Sequence, residues 1–138
     1  MQINEVMHKG TEWVHPDISL VELAKKMRDN DIGALPVGEE DKLVGMVTDR
    51  DIVIRCVAEG KDVSSASARD VMTGETIWCY DDADVKEASK LMSEKRVRRI
   101  PIINQDKRLV GMLSVGDLTK ASTEIAGEAL KDLSAAGD

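Results

Sequence analysis

Two short stretches of this chain combine side chains that could hold a small phosphorylated molecule. Gly45-Met46-Val47-Thr48-Asp49-Arg50-Asp51 and Gly111-Met112-Leu113-Ser114-Val115-Gly116-Asp117 share the form G-h-x-[ST]-x-x-D, with h apolar. In each, an apolar strand ends at a hydroxyl and a helix begins within the next turn. A helix start offers unpaired N–H groups and about half a positive charge, so it favours phosphate. Thr48 or Ser114 adds a hydroxyl donor, and Asp51 or Asp117 can accept two hydrogen bonds from a ribose diol, as acidic residues do in dinucleotide folds. The plain alternative is that the hydroxyls and aspartates only cap helices. Catalysis is harder to assemble. His8 and His15 are the only histidines, neither stands at the spacing of a nucleophile motif, and no Walker loop, GxGxxG or HExxH is present. His8, His15, Cys56 and Cys79 lack the paired spacing of metal ligands. No catalytic residue and no metal ligand is therefore assigned.

The two stretches belong to one motif written twice. Sliding the chain by 65 superposes Val6-Met7 on Val71-Met72, Thr11 on Thr76, Trp13 on Trp78, Met27 on Met92 and Pro36 on Pro101. After one extra residue, Arg108, Leu43-Val44-Gly45-Met46 meets Leu109-Val110-Gly111-Met112 and Asp51 meets Asp117. Within each copy the periods read the same way. Ser19 with Glu22, and Asp84 with Glu87, make helix starts. Leu20, Leu23, Ala24 and Met27, then Val85, Ala88, Leu91 and Met92, follow at helical spacing. Short apolar runs Ala34 to Val37 and Ile100 to Ile103, each with a proline suited to an edge, are followed by a polar turn and by Leu43 to Thr48 or Leu109 to Ser114, in hairpin relation. Asp49 to Glu59 and Val115 to Ala121 read as helices. With brief strands at Trp13-Val14 and Trp78-Cys79, the predicted order is β-α-β-β-α twice, an α/β (α+β) class. The repeating methionines read as core filling. For the two tryptophans, core or interface packing stands beside a role as cleft wall.

Predicted domain limits are 1–60 for the first copy, 61–68 for a small, polar linker, 69–125 for the second copy and 126–138 for a tail. In that tail Ile125, Ala129 and Leu133 stand at helical spacing, the alternative being a dangling end. A copy of about fifty residues buries little surface, so the copies are expected to pack together and leave a cleft between them. Of 138 residues, 26 are acidic and 19 basic, giving a net charge of -7, which argues against binding nucleic acid or an anionic membrane by charge alone. The apolar share, 42%, suffices for a core, built from aliphatic residues because there is no Phe. No signal peptide and no run of eighteen apolar residues is seen, so a soluble, cytoplasmic protein is expected.

The span from Val6 to Leu118 resembles a tandem pair of cystathionine-β-synthase (CBS) domains, the Bateman module. The likeness rests on Asp31-Ile32-Gly33-Ala34-Leu35-Pro36-Val37, the matching Val97-Arg98-Arg99-Ile100-Pro101-Ile102 and the two G-h-x-[ST]-x-x-D stretches. It implies a homodimer and clefts for adenosyl ligands, AMP, ADP or ATP above all, with S-adenosylmethionine or NAD as other candidates. Each cleft draws on both copies. Carried over, one uses Thr11, Ile32, Gly33, Arg99, Ser114 and Asp117, the other Thr76, Val97, Arg98, Thr48 and Asp51. The copies are unequal: Arg98 and Arg99 stand where the first copy has Gly33 and Ala34, and Asp49 stands where the second has Val115. Both differences favour phosphate at Asp117. With no catalytic or other segment seen beside the pair, the implied role is a regulatory nucleotide sensor acting on a separate target protein. A ligand-independent dimerisation scaffold is the other reading.

Overall fold

The computed structural model describes residues 1–10, 12–74, 76–122, 127, 129 and 130. They form two compact units. One runs from Glu12 to Thr76; the other joins the residues before position 12 to those from Ile77 onward.

In the first-copy unit, helix α1 (Leu20–Asn30) starts where Ser19 Oγ accepts a hydrogen bond from the Glu22 N–H at 3.1 Å. It ends at Asp31 in the left-handed region. Leu20, Leu23 and Met27 are buried as the period predicted, but Ala24 is exposed. Strands β2 (Ala34–Glu39) and β3 (Lys42–Thr48) pair antiparallel, Ala34 opposite Thr48. Val14 joins them through a single parallel bridge to Val37, so the strand expected at Trp13-Val14 shrinks to one residue. The helix expected over Asp49 to Glu59 is α2 (Asp49–Ile52), followed by a π turn, Val53–Val57. Trp13 is half-buried and its ring lies against Gly38, where a Cβ would come within 2.9 Å of the ring edge.

In the second-copy unit, β4 (Cys79–Tyr80) runs parallel to β5 (Arg99–Ile103), which pairs antiparallel with β6 (Leu109–Ser114). Helix α4 (Val85–Lys95) lies between β4 and β5 in the chain, and α5 (Val115–Leu118) follows β6. The Asp84 carboxylate caps α4 at the Lys86 N–H, one position earlier than its pairing with Glu87 implied. Pro101 of β5 lies opposite Met112 of β6, in the part of the strand that the two-residue β4 does not pair, a position that suits a residue without an N–H.

The units cut the chain differently from the predicted limits. Residues ahead of the first copy belong to the second-copy unit: strand β1 (His8–Lys9) adds to β6, giving the order β1-β6-β5-β4. Residues ahead of the second copy belong to the first-copy unit. There α3 (Ala68–Val71) leads to Thr73, which bridges Met46 in β3. His8 and Thr73 are counterparts in the repeat, so the lead segments are exchanged between the copies. The stretch 61–68 is correspondingly no free linker. Ala66 and Ala68 are buried, the Ala66 carbonyl accepts from the Leu20 N–H at 3.0 Å, and Ser67 bridges Ser19. Small residues fit there because the backbone lies against the start of α1.

Each unit has its own core. One gathers Ile3, Val6, Met92, Ile100, Ile102, Leu113 and Leu118, the other Val14, Leu20, Leu23, Leu35, Val37, Val47 and Val71. Of the tail, positions 127, 129 and 130 are helical and Ala129 is buried in the first of these cores; Ile125 and Leu133 lie outside the described residues. Met27, Met92 and Met112 are buried as core filling requires, while Met7, Met46 and Met72 are only half-buried, Met7 and Met72 packing on the edges of the cores. Trp78 is 39% exposed and meets Tyr80 edge-on at 4.9 Å, so it is no core anchor. No helix of the described residues is long and apolar enough to cross a membrane.

Cys79 is buried in the second-copy core, and burial, aided by the Glu87 charge, pushes its thiol up to about 11. Because the thiolate is the nucleophile, Cys79 is expected to stay unlabelled by a disulfide reagent at pH 8 and to react at once after denaturation. Rapid native labelling at this position, located by mass spectrometry, would contradict the burial.

Candidate functional site

The two motif turns have the same geometry. At the end of β3, Thr48 Oγ1 accepts from the Asp51 N–H at 3.0 Å while the Thr48 N–H donates to Asp51 Oδ2 at 2.9 Å. At the end of β6, Ser114 Oγ accepts from the Asp117 N–H at 3.1 Å and the Ser114 N–H donates to Asp117 Oδ2 at 2.9 Å. These are reciprocal capping boxes. The plain reading of the four residues as caps therefore holds in both units, and it defines what remains for a ligand. One oxygen of each carboxylate is committed to the backbone and the other points away from the box.

The first turn of each helix is also largely engaged. The Asp49 N–H donates to the Gly33 carbonyl at 2.9 Å and the Val115 N–H to the Arg98 carbonyl at 3.0 Å. In the first-copy unit the Asp49 carboxylate additionally takes the Arg50 N–H at 2.8 Å. Val115, its counterpart, has no side-chain acceptor with which to do this. The expected cradle of free helix-start N–H groups is thus mostly closed, and what can distinguish ligands is side-chain charge.

The outward oxygens differ in their neighbours. Asp117 is 5% exposed, and its Oδ1 lies 3.4 Å from Lys120 Nζ and 3.4 Å from His8 Nδ1, an ion pair when His8 is protonated. Asp51 is half-buried, and its Oδ1 lies 3.9 Å from Arg55 Nε. That guanidinium also donates to the carbonyls of Val71 and Met72 at 3.0 and 3.2 Å, tying the π turn to α3. His8, Lys120 and Arg55 were not among the predicted residues. Lys120 and Arg55 stand three and four positions beyond their aspartates, on the same helical side, and that spacing could have revealed them. His8 could not be found this way, since it arrives through the exchanged lead segment.

The remaining predicted residues divide between the units. Gly33 and Ile32 precede β2, with Ile32 packed on the first-copy core and Gly33 beneath the Asp49 carboxylate; a Cβ on Gly33 would lie 2.9 Å from Asp49 Oδ2. Thr76 is half-buried at the end of the same unit. In the other unit Arg99 stands opposite Ser114 across the β5–β6 ladder, Val97 packs on the core, and Arg98 and Arg99 are exposed. Thr11 lies outside the described residues. Each unit therefore gathers a hydroxyl, a carboxylate and the start of its neighbouring strand. Among the described residues no three His, Cys, Asp or Glu side chains are arranged to hold a metal ion.

Comparison with known proteins is consistent with this arrangement. The family model for the CBS domain matches residues 3–57 and 68–124. The CBS domain-containing protein YhcV of Bacillus subtilis is 36% identical over 134 residues, spanning 96% of this chain and 94% of that one. An uncharacterised protein of Methanopyrus kandleri, MK0525, is 36% identical over 119 residues, and the match spans 61% of its length. Among solved structures, Hypoxic Response Protein I, with two coordinated zinc ions, superposes with a TM-score of 0.80 at 36% identity, covering 88% of this chain and 98% of that one. The CBS domain pair of protein MJ0100, in complex with 5'-methylthioadenosine and S-adenosyl-L-methionine, gives 0.77 at 26% identity over 88% and 98% of the two chains.

Proposed function

We infer the function from one premise: this chain belongs to the CBS domain family and carries two copies of the domain in tandem. On that premise it is a regulatory ligand-binding module, cytoplasmic and homodimeric, that takes an adenosyl ligand and acts on a separate target protein. AMP, ADP and ATP are the first candidate ligands. The observation that carries the reading is the doubled turn, in which Thr48 with Asp51 and Ser114 with Asp117 present the same hydroxyl and carboxylate at the end of a hairpin. The bound 5'-methylthioadenosine and S-adenosyl-L-methionine of the MJ0100 pair support the ligand class. Ribose would be held by the outward carboxylate oxygen, phosphate by Arg98, Arg99 and the threonines Thr11 and Thr76. Adenine would lie against Ile32 and Gly33, ahead of β2, in one unit, and against Val97, ahead of β5, in the other.

Such a ligand can shift the shape of the module only by binding one arrangement better than another. The Asp117 turn, where His8 of the other copy's lead segment lies 3.4 Å from the carboxylate within one unit, gives a ligand such a difference to act on. Thermal melting with AMP, ADP, ATP, NAD and S-adenosylmethionine tests the reading. A ligand at 100 times its dissociation constant should stabilise the fold by about 2.7 kcal/mol, readily seen as a rise in Tm. No shift with any of them at millimolar concentration would remove the sensor reading.

The scaffold reading is favoured by one fact. The motif side chains already satisfy one another through their capping boxes and need no ligand to do so. Under it, the wild type, Asp51→Ala and Asp117→Ala all bind the partner alike with or without AMP, whereas under the sensor reading the wild type responds to AMP and the variants lose that response; a pull-down with and without AMP separates the two.

A further inference from the structure

The two turns are alike in shape and unlike in charge. Around Asp117 stand Lys120 and His8, each 3.4 Å from its outward oxygen, and Arg98, whose carbonyl holds the same turn. The counterparts of these three residues in the first copy are Ile54, Thr73 and Gly33, none of them charged. Where the second copy has the buried, neutral Val115, the first has Asp49, whose carboxylate lies over Gly33 and on the Arg50 N–H. Over the matched positions 33, 34, 49–51, 54, 55 and 73 the formal charge is zero. Over positions 98, 99, 115–117, 120, 121 and 8 it is +2 with His8 neutral.

We propose that the two sites are sorted by charge: the Asp117 turn takes adenosyl ligands bearing phosphate, and the Asp51 turn takes neutral or cationic ones such as a methylthio- or sulfonium-adenosyl compound. The inference rests on the adenosyl reading above and specifies which ligand goes where. A ribose held by the outward oxygen of Asp117 brings its phosphate toward Lys120, Arg98 and Arg99, the cations of that turn and strand start. At Asp51 the same phosphate meets Asp49, fixed by its own backbone hydrogen bond, and the guanidinium of Arg55, already held by the Val71 and Met72 carbonyls. A sulfonium centre reverses the preference at both places. Lys120 and Asp49 are exposed, so their substitution tests charge without putting the core at risk.

Calorimetric titration with AMP and with S-adenosylmethionine tests the sorting on the wild-type chain and on Lys120→Met and Asp49→Asn. In the wild type each ligand fills about one site per chain and neither displaces the other. Lys120→Met should weaken AMP by about tenfold and leave S-adenosylmethionine within about twofold, as loss of one partly screened charge requires. Asp49→Asn should weaken S-adenosylmethionine by about tenfold and leave the first equivalent of AMP unchanged. Equal weakening of both ligands by Lys120→Met would mean that Lys120 acts only by supporting Asp117, and would overturn the proposal. So would direct competition of the two ligands for one site, or an Asp49→Asn variant that binds both as the wild type does. Absence of binding by either ligand to the wild type would instead remove the adenosyl reading itself.

Discussion

Replacing Gly111 by alanine is expected to cost about 3 kcal/mol and to lower the melting temperature by about 10–20 °C. A methyl group on Gly111 would drive into the carbonyl oxygen of His8 and reach 3.0 Å from Met7 Sδ. The first of these neighbours is backbone, paired to β6 through β1, and cannot turn aside. Gly45 repeats the arrangement, with a Cβ falling 2.5 Å from the Thr73 carbonyl oxygen and 3.3 Å from Met72 Sδ. Gly45→Ala should therefore be similarly severe. Gly74 has nothing within 4 Å of its would-be Cβ, so Gly74→Ala is the control, expected within about 0.5 kcal/mol of wild type. If Gly111→Ala melts as Gly74→Ala does, the lead segment does not lie on β6 as described.

The second large effect is on Asp117. Asp117→Ala removes the acceptor of the Ser114 N–H, half of the capping box, and the carboxylate facing Lys120 and His8, all at a residue only 5% exposed. A loss of about 2 kcal/mol in stability is expected, measured by urea unfolding. Asp51→Ala, at a half-buried site, should cost about half as much. On the adenosyl reading, the ligand-induced Tm shift with AMP should also fall further in Asp117→Ala than in Asp51→Ala, with affinity reduced at least about tenfold. Equal losses of AMP binding in the two variants would refute the inequality between the copies.

Much of this architecture is legible in the residues. The helical periods that begin after Ser19 and Asp84, and the hairpins that end at Thr48 and Ser114, are local patterns, and local patterns survive folding when they agree with the core they serve. The motif turns are legible for the same reason, since hydroxyl and carboxylate three residues apart close a hydrogen-bonded box within one turn. What the periods do not carry is non-local. Strand β1 has two residues and both are exposed, so no alternation marks it. The burial of Ala66 and Ala68 follows from the backbone at the start of α1, which composition alone reads as a polar linker. His8 at Asp117 depends on a pairing between residues more than a hundred positions apart. One signal of the exchange was present all the same: Val6-Met7 and Val71-Met72 repeat outside the β-α-β-β-α pattern, and in the fold those methionines are the side chains beside Gly111 and Gly45.

The exchanged lead segments bear on how such a chain could arise. A polypeptide with a single copy would carry a leading strand suited to another hairpin and a hairpin whose glycine faces no strand. Two such polypeptides would complete each other reciprocally, each lending its first residues to its mate. Joining them end to end converts that association into a connection along one chain, and the bimolecular penalty of association disappears. Within one chain the two halves need not be identical to complete each other, and Asp49 in one and Val115 in the other are such a difference.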